Sequence, residues 1–353
     1  MNSCAMVAAL GWLGVALAAA GLPEPVFETT FRTDAAGAVL DNLAPAANGR
    51  LMGAASIVDT VLGKGAAVDG TLAAYVAFPA AEKLRLPSEF TVAGWFCVNA
   101  WPPPGADRPF RGYALFSRGG NCRAVASPDG AIGTQTSRGD DHYTLTSAKG
   151  LVVPGRWFHA AYTYSVSNGQ YALYVNGVQR AARRATYKKA VPAPLEVSAP
   201  LSLGSLPNYF PLNGIVGRVR VYAQALNGDR IIDAEQDLAR RLLAAVTNGL
   251  DGLPGADALR AQAEQAARED VVSLERLDRL QAEKERLAGL AALHRSGVLG
   301  RESLGYSVVN PMAPGIYFRD SALPADGLNG SVLIAAALNE FEPGSFLVKP
   351  LRD

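Results

Sequence analysis

The chain has 353 residues, 49% of them apolar, with 33 Lys and Arg against 32 Asp and Glu. Such a near-neutral balance excludes the basic surface that drives nucleic-acid binding through counterion release. With 18% charged residues, 36 Gly and 22 Pro, the composition suits loop-rich β structure better than an all-helical bundle.

In chain order, Met6–Ala20 is apolar and ends in the small residues Ala18-Ala19-Ala20, with Pro23 and Pro25 directly after. Residues 1–20 therefore read as a secretory signal peptide, too short to span a bilayer comfortably, which places the mature protein outside the cell, in the periplasm or at the cell surface. No later run reaches membrane-spanning length. Strand patterns follow at Val26–Arg32, Ala66–Gly70, Ala74–Pro79 and Phe90–Val98, the last ended by Pro102-Pro103-Pro104. Tyr113–Arg118 and Cys122–Ser127 continue the sheet into the turn Pro128-Asp129-Gly130, and Gly139–Tyr143 reads as a polar loop.

The densest signal is Gly155–Leu226. Aromatic and β-branched residues alternate with polar ones across Trp157–Val166, Tyr171–Asn176, Leu201–Leu203 and Gly214–Tyr222, and Asn176-Gly177 is a hairpin turn. Turn signals recur about every ten residues, the spacing of a β-sandwich or jelly roll. Trp95 and Trp157 are assigned to the core between its sheets. At Asn227 the period changes to that of a helix, with Asn227 as its cap and Ile231, Leu238 and Leu242 on one face. A second, longer helix is expected from Asp257 to Arg295, so 227–297 reads as a helical hairpin. Beyond it, 298–353 reads as a linker and the start of a further β-domain, cut short, with strands at Gly330–Leu338 and Ser345–Val348. The bland alternative is that these strands complete the first sandwich or pack on the helices.

The quoted motifs resemble the LamG-like (concanavalin A-like lectin/glucanase) jelly-roll family, in its bacterial secreted form. Phe90–Trp95, Trp157–Ala161, Leu173–Gly177 and Gly214–Tyr222 follow the family pattern in order and spacing. The resemblance implies two stacked antiparallel sheets over 26–226 and the role of a glycan- or protein-binding module. It departs at Gly217-Arg218, where relatives carry an acidic pair that helps hold calcium; without those carboxylates a calcium site is in doubt, and no cofactor is expected. Ala337–Phe346 is similar to the opening of β-sandwiches in glycoside-hydrolase-like proteins, which suits an appendage to a carbohydrate-active protein.

Catalysis finds little support. Glycoside hydrolysis needs paired carboxylates, and Glu28, Glu82, Glu89 and Glu196 are scattered. No Ser/His/Asp, Cys/His or zinc spacing appears, and His159 reads as a hydrogen-bonded core residue. The ligand-binding candidates are Arg118, Asn121, Asp140, His142, Tyr143, Asn208 and Tyr209: aromatic faces for sugar C–H surface and planar polar groups for hydroxyls. The basic run Arg180–Arg184 with Lys188-Lys189 suggests either acidic-polysaccharide binding or a solvated loop. Cys97 and Cys122 could pair in an oxidising compartment or stay separate. The resulting expectation is an exported, non-catalytic carbohydrate-binding module with a glycan or polysaccharide partner and a catalytic domain further along. The alternative is a structural or protein-interaction domain that binds no sugar.

Overall fold

The computed structural model describes residues 24–350 apart from 45–46, 85–88, 102–111, 119–121, 139–140, 166, 168, 185–199, 207–208, 252–254, 296–303 and 310–344. In chain order the strands are β1 (Phe27–Thr29), β2 (Arg50–Met52), β3 (Ser56–Thr60), β4 (Gly63–Asp69), β5 (Tyr75–Phe78) and β6 (Glu89–Val98). Next come β7 (Tyr113–Arg118), β8 (Cys122–Ala126), β9 (Ile132–Arg138), β10 (Asp141–Thr146), β11 (Trp157–Ser165) and β12 (Gln170–Val175). Then follow β13 (Val178–Arg184), β14 (Leu201–Leu203) and β15 (Asn213–Tyr222). The helices are α1 (Gly228–Ala234), α2 (Gln236–Val246), α3 (Ala256–Ala267) and α4 (Leu274–Arg295), and the final strands are β16 (Leu304–Val309) and β17 (Ser345–Pro350).

An eight-stranded sheet has the order β13-β12-β11-β6-β15-β4-β3, with β1 also paired to β15. A seven-stranded sheet, β10-β9-β8-β7-β14-β5-β2, lies over it. All pairings within both are antiparallel. The expected jelly-roll sandwich is present. Period-two alternation builds it: Phe90, Val92, Phe96 and Val98 of β6 enter one core with Phe158, Tyr162 and Tyr164 of β11 and Phe116 and Leu145 of the facing sheet. Each such phenylalanine contributes about 1.5–3 kcal/mol by leaving water, whereas an exposed ion pair contributes about 0–1 kcal/mol, so this layer carries the stability. Thr136 of β9 donates to the Tyr162 hydroxyl at 2.8 Å, joining the two sheets through the core.

Trp95 and Trp157 are buried, but not between the sheets. They occupy the opposite parity, and with Cys97 they form a second core against Leu238, Leu242, Leu259, Leu274 and Leu277 of the helices. The helical layer thus covers part of the sandwich's outer face. Four helices stand where the sequence pointed to two. The first is broken at Glu235, whose side chain turns inward to the sheet. The second is broken where Ser273 restarts the chain, accepting through its hydroxyl from the Arg276 N–H at 3.3 Å. Asn227 caps α1 as expected, accepting from the Arg230 N–H at 3.0 Å.

Of the two readings open for Cys97 and Cys122, pairing or separate thiols, the structure has the second. Both are buried free thiols, Cys97 under the helices and Cys122 in the core between the sheets, on strands of different sheets. Of the C-terminal expectation, Ser345–Val348 lies within β17, which pairs antiparallel with β16. Gly330–Leu338 and the signal segment 1–20 lie outside the described residues. Among the described residues no helix is long and apolar enough to cross a membrane.

Candidate functional site

The helices leave one end of the eight-stranded sheet uncovered, and a cleft of about 370 Å³ opens there over β11, β12 and β13. Its shape follows from local sequence. Asn176 and Gly177 both take positive φ, 51° and 76°, the two-residue turn that suits the twist of paired strands. Pairing then slips by one residue, since Leu173 faces Ala181 while Tyr174 faces Gln179. Arg180 is the extra residue, and it leaves the cleft to meet Glu275 of α4 at 3.3 Å. Beyond this bulge Ala172 lies opposite Ala182, and Gln170 opposite Arg184. Tyr171 and Leu173 point into the sandwich core, so Gln170, Ala172, Tyr174, Gln179, Ala182 and Arg184 share the outer face.

Thr163 and Ser165 of β11 form the floor, Arg183 borders the rim, and Ala225, Leu226 and Asn227 make the wall on the helical side. Several polar atoms are already committed. The Tyr174 hydroxyl donates to Gln179 Oε1 at 3.3 Å, and burial, with Asp229 nearby, raises the pKa of that phenol. Thr163 donates to the Ala172 carbonyl at 3.5 Å. Ser165 donates to Glu89 at 2.8 Å, and hydrogen bonds from Ser167 and Ser165 hold the Glu89 carboxyl below the usual glutamate range. Among the described residues lining the cleft there is no carboxylate and no histidine.

The sequence-predicted candidates do not converge. Arg118 is buried at 3% exposure on the core-facing register of β7, opposite Cys122, and burial lowers its pKa. Tyr143 is also a core residue, edge-on to Tyr171 with ring centroids 5.7 Å apart. The segment expected as a polar loop ends in strand β10, where His142 pairs in register with Ser137 and Tyr143 with Thr136. Tyr209 is 45% exposed beside Phe210, which lies under the Arg123 guanidinium at 5.8 Å. Asn121, Asp140 and Asn208 lie outside the described residues. The Arg180–Arg184 run, by contrast, reaches the cleft through Arg183 and Arg184. Gln170 and Gln179 were not singled out from sequence, although polar residues at alternate positions beside the Asn-Gly turn mark such an outer face.

Elsewhere, the departure at Gly217-Arg218 has a structural role. The Arg218 guanidinium, 6% exposed, donates to Glu235 at 2.7 Å and to both oxygens of Asp237 at 2.7 Å. Burial opposes its charge, but Glu235 and Asp237 more than offset this and hold its pKa above the usual arginine value. Glu28 and Glu235 engage the neighbouring Arg220, at 2.6 and 3.5 Å. His159 is fully buried beside Trp95, their rings 5.3 Å apart, and neither imidazole nitrogen has a hydrogen-bond partner among the described residues. The hydrogen bond expected of it belongs to its backbone N–H, which donates to Asn176 at 2.9 Å. No cluster of three or more His, Cys, Asp or Glu side chains suited to a metal occurs among the described residues.

Comparison with solved structures finds partial similarity at low identity. The binding domain of Paraclostridial Mosquitocidal Protein 1 is 14% identical with a TM-score of 0.48, over 61% of this chain and 52% of that one. The binding domain of Botulinum Neurotoxin DC in complex with SialylT is 13% identical with a TM-score of 0.46, over 61% and 51%. Domain 4 of AbnA, a GH43 extracellular arabinanase from Geobacillus stearothermophilus in complex with arabinotriose, is 17% identical with a TM-score of 0.43, over 60% and 98%. This chain spans about half the length of the two toxin binding domains. No curated protein sequence matches it. The family model for the concanavalin A-like lectin/glucanases superfamily matches residues 69–232, from the end of β4 through β15 into α1.

Proposed function

We propose that this protein is an exported, non-catalytic glycan-binding module, an accessory to a larger carbohydrate-active protein, and that the cleft beside the Asn176-Gly177 hairpin holds the ligand. One observation carries the reading: hydroxyl, amide and guanidinium groups and a tyrosine line the cleft, and no carboxylate stands among its described lining residues. A sugar is held by such planar polar groups and an aromatic edge. Hydrolysis would need two carboxyl groups about 5–10 Å apart across the scissile bond. Glu89 is a single acid beside the floor, in register with Ser165, and hydrogen bonds from Ser167 and Ser165 favour its ionised form.

The test is a glycan array on the full chain, followed by calorimetry of the hits. Gln170→Ala and Gln179→Ala are expected to weaken binding about fivefold each, the loss of one hydrogen bond of about 1 kcal/mol. If no glycan binds at millimolar concentration, the sandwich serves instead as a structural or protein-interaction domain. Release of reducing sugar by the purified chain would overturn the non-catalytic assignment.

A further inference from the structure

We propose that Thr91, which does not itself line the cleft, is the residue that positions its helix-side wall, with Gly228 as a second anchor. The inference rests on the glycan-binding reading above and concerns Ala225, Leu226 and Asn227, which close the cleft on that side. These residues belong to the connection between β15 and α1, residues 223–227, which is neither strand nor helix. Such a segment has no ladder of its own, so its backbone groups must find partners elsewhere.

One side chain supplies two of those partners. Thr91 is fully buried on β6, in register with Thr163 of the cleft floor on one side and with Tyr222 of β15 on the other. Its hydroxyl donates to the Gln224 carbonyl at 2.7 Å and accepts from the Leu226 N–H at 2.9 Å. A hydroxyl both donates and accepts, so one group ties down two points of the connection; valine has the same shape and can do neither. The sheet beneath is low. Leu226 packs with Ala93, Ala161 and Ala172, whose methyl side chains let the backbone come down to Thr91. The far end of the wall is fixed by close approach. A methyl group on Gly228 would sit 2.9 Å from the Gly177 carbonyl oxygen and 3.4 Å from the Tyr174 ring. A larger residue there must push the start of α1 away from the hairpin. Thr91 and Gly228 thus hold the wall at a set distance from Ala172 and Tyr174, and a site whose parts are already in place loses less on binding.

The experiment pairs calorimetry with hydrogen exchange on the full chain, the calorimetric probe being the oligosaccharide bound most tightly on the glycan array. Thr91→Val is expected to bind it about tenfold more weakly and to exchange the Leu226 amide at least about tenfold faster, with far smaller changes in β7–β9. Thr91→Ser keeps the hydroxyl and loses a buried methyl, so it is expected to melt at a lower temperature yet bind within about twofold of the native protein. Equal loss of affinity in the two variants would overturn the inference, because affinity would then follow stability alone. Native affinity and native exchange in Thr91→Val would also overturn it and leave the glycan reading standing. Should Thr91→Val fail to fold, Gly228→Ala decides: about fivefold weaker binding supports the inference, and unchanged affinity overturns it. If no oligosaccharide binds the native protein, the glycan reading fails by itself. The exchange comparison then decides alone: a fast Leu226 amide in Thr91→Val and a protected one in Thr91→Ser supports Thr91 as the anchor, and equal exchange in both overturns it.

Discussion

The indole N–H of Trp95 donates to Glu235 at 2.7 Å, joining residues 140 positions apart in the chain. Glu235 also accepts from Arg218, and both members of that ion pair are nearly sealed from solvent, at 6% and 3% side-chain exposure. One carboxylate therefore satisfies a tryptophan and an arginine at once, and it sits at the break between α1 and α2 that brings it inward.

Glu235→Ala should accordingly destabilise the protein by about 3–5 kcal/mol, because it leaves the Arg218 charge buried with its main partner gone. Urea unfolding followed by tryptophan fluorescence measures this. Asp237→Ala should cost well under half as much, since Asp237 is 54% exposed and its bond to Arg218 is screened by water. Equal losses from the two substitutions would show that Glu235 has no special place in the clamp.

Acid should weaken the fold through His159. Burial pushes its pKa down to about 4 from an ordinary 6.5, with Glu235 pulling the other way and Arg218 and Arg220 adding to the depression. The unfolded chain binds this proton more readily than the folded one. Its contribution is therefore fully present above pH 6.5 and is lost as pH falls from there toward 4, by about 3 kcal/mol in total. The difference in unfolding free energy between the native protein and His159→Gln, measured across pH 4–7, should trace that slope. A difference that stays flat over the range would show that His159 is not the group responsible.

Cys97 and Cys122 should be inert. Burial pushes their thiols up to about 11 and about 12, so the nucleophilic thiolate is scarce at neutral pH. A disulfide-exchange reagent should modify both at the rate of global unfolding, and a reductant should leave the melting temperature unchanged. Fast modification of Cys97 alone would report that the helical layer opens independently.

Much of the sandwich was legible because its inward positions are large and apolar. Phe90, Val92, Phe96 and Val98 alternate without interruption, and Asn176-Gly177 announces its hairpin. β9 was hidden because its inward residues include Thr134 and Thr136, whose burial depends on a partner such as the Tyr162 hydroxyl on the other sheet. β13 was hidden by charge, since Val178–Arg184 carries three arginines on an exposed edge. The side on which Trp95 and Trp157 pack was undecidable from one strand alone, because alternation defines two faces without saying which meets the second sheet and which meets helices. The candidate cleft was missed for a related reason: loop aromatics such as Tyr209 drew attention, whereas the cleft is built from small and polar residues of regular strands.

Gly177 lies directly beneath Ile232 of α1, so close that a methyl group there would sit 2.5 Å from the Ile232 side chain. The tip of the hairpin that shapes the cleft is thereby wedged under the first helix, and Leu274 of α4 lies 3.9 Å from the same point. The helical layer and the hairpin are consequently packed as one unit: lifting α1 from the sheet would also release the turn that shapes the cleft.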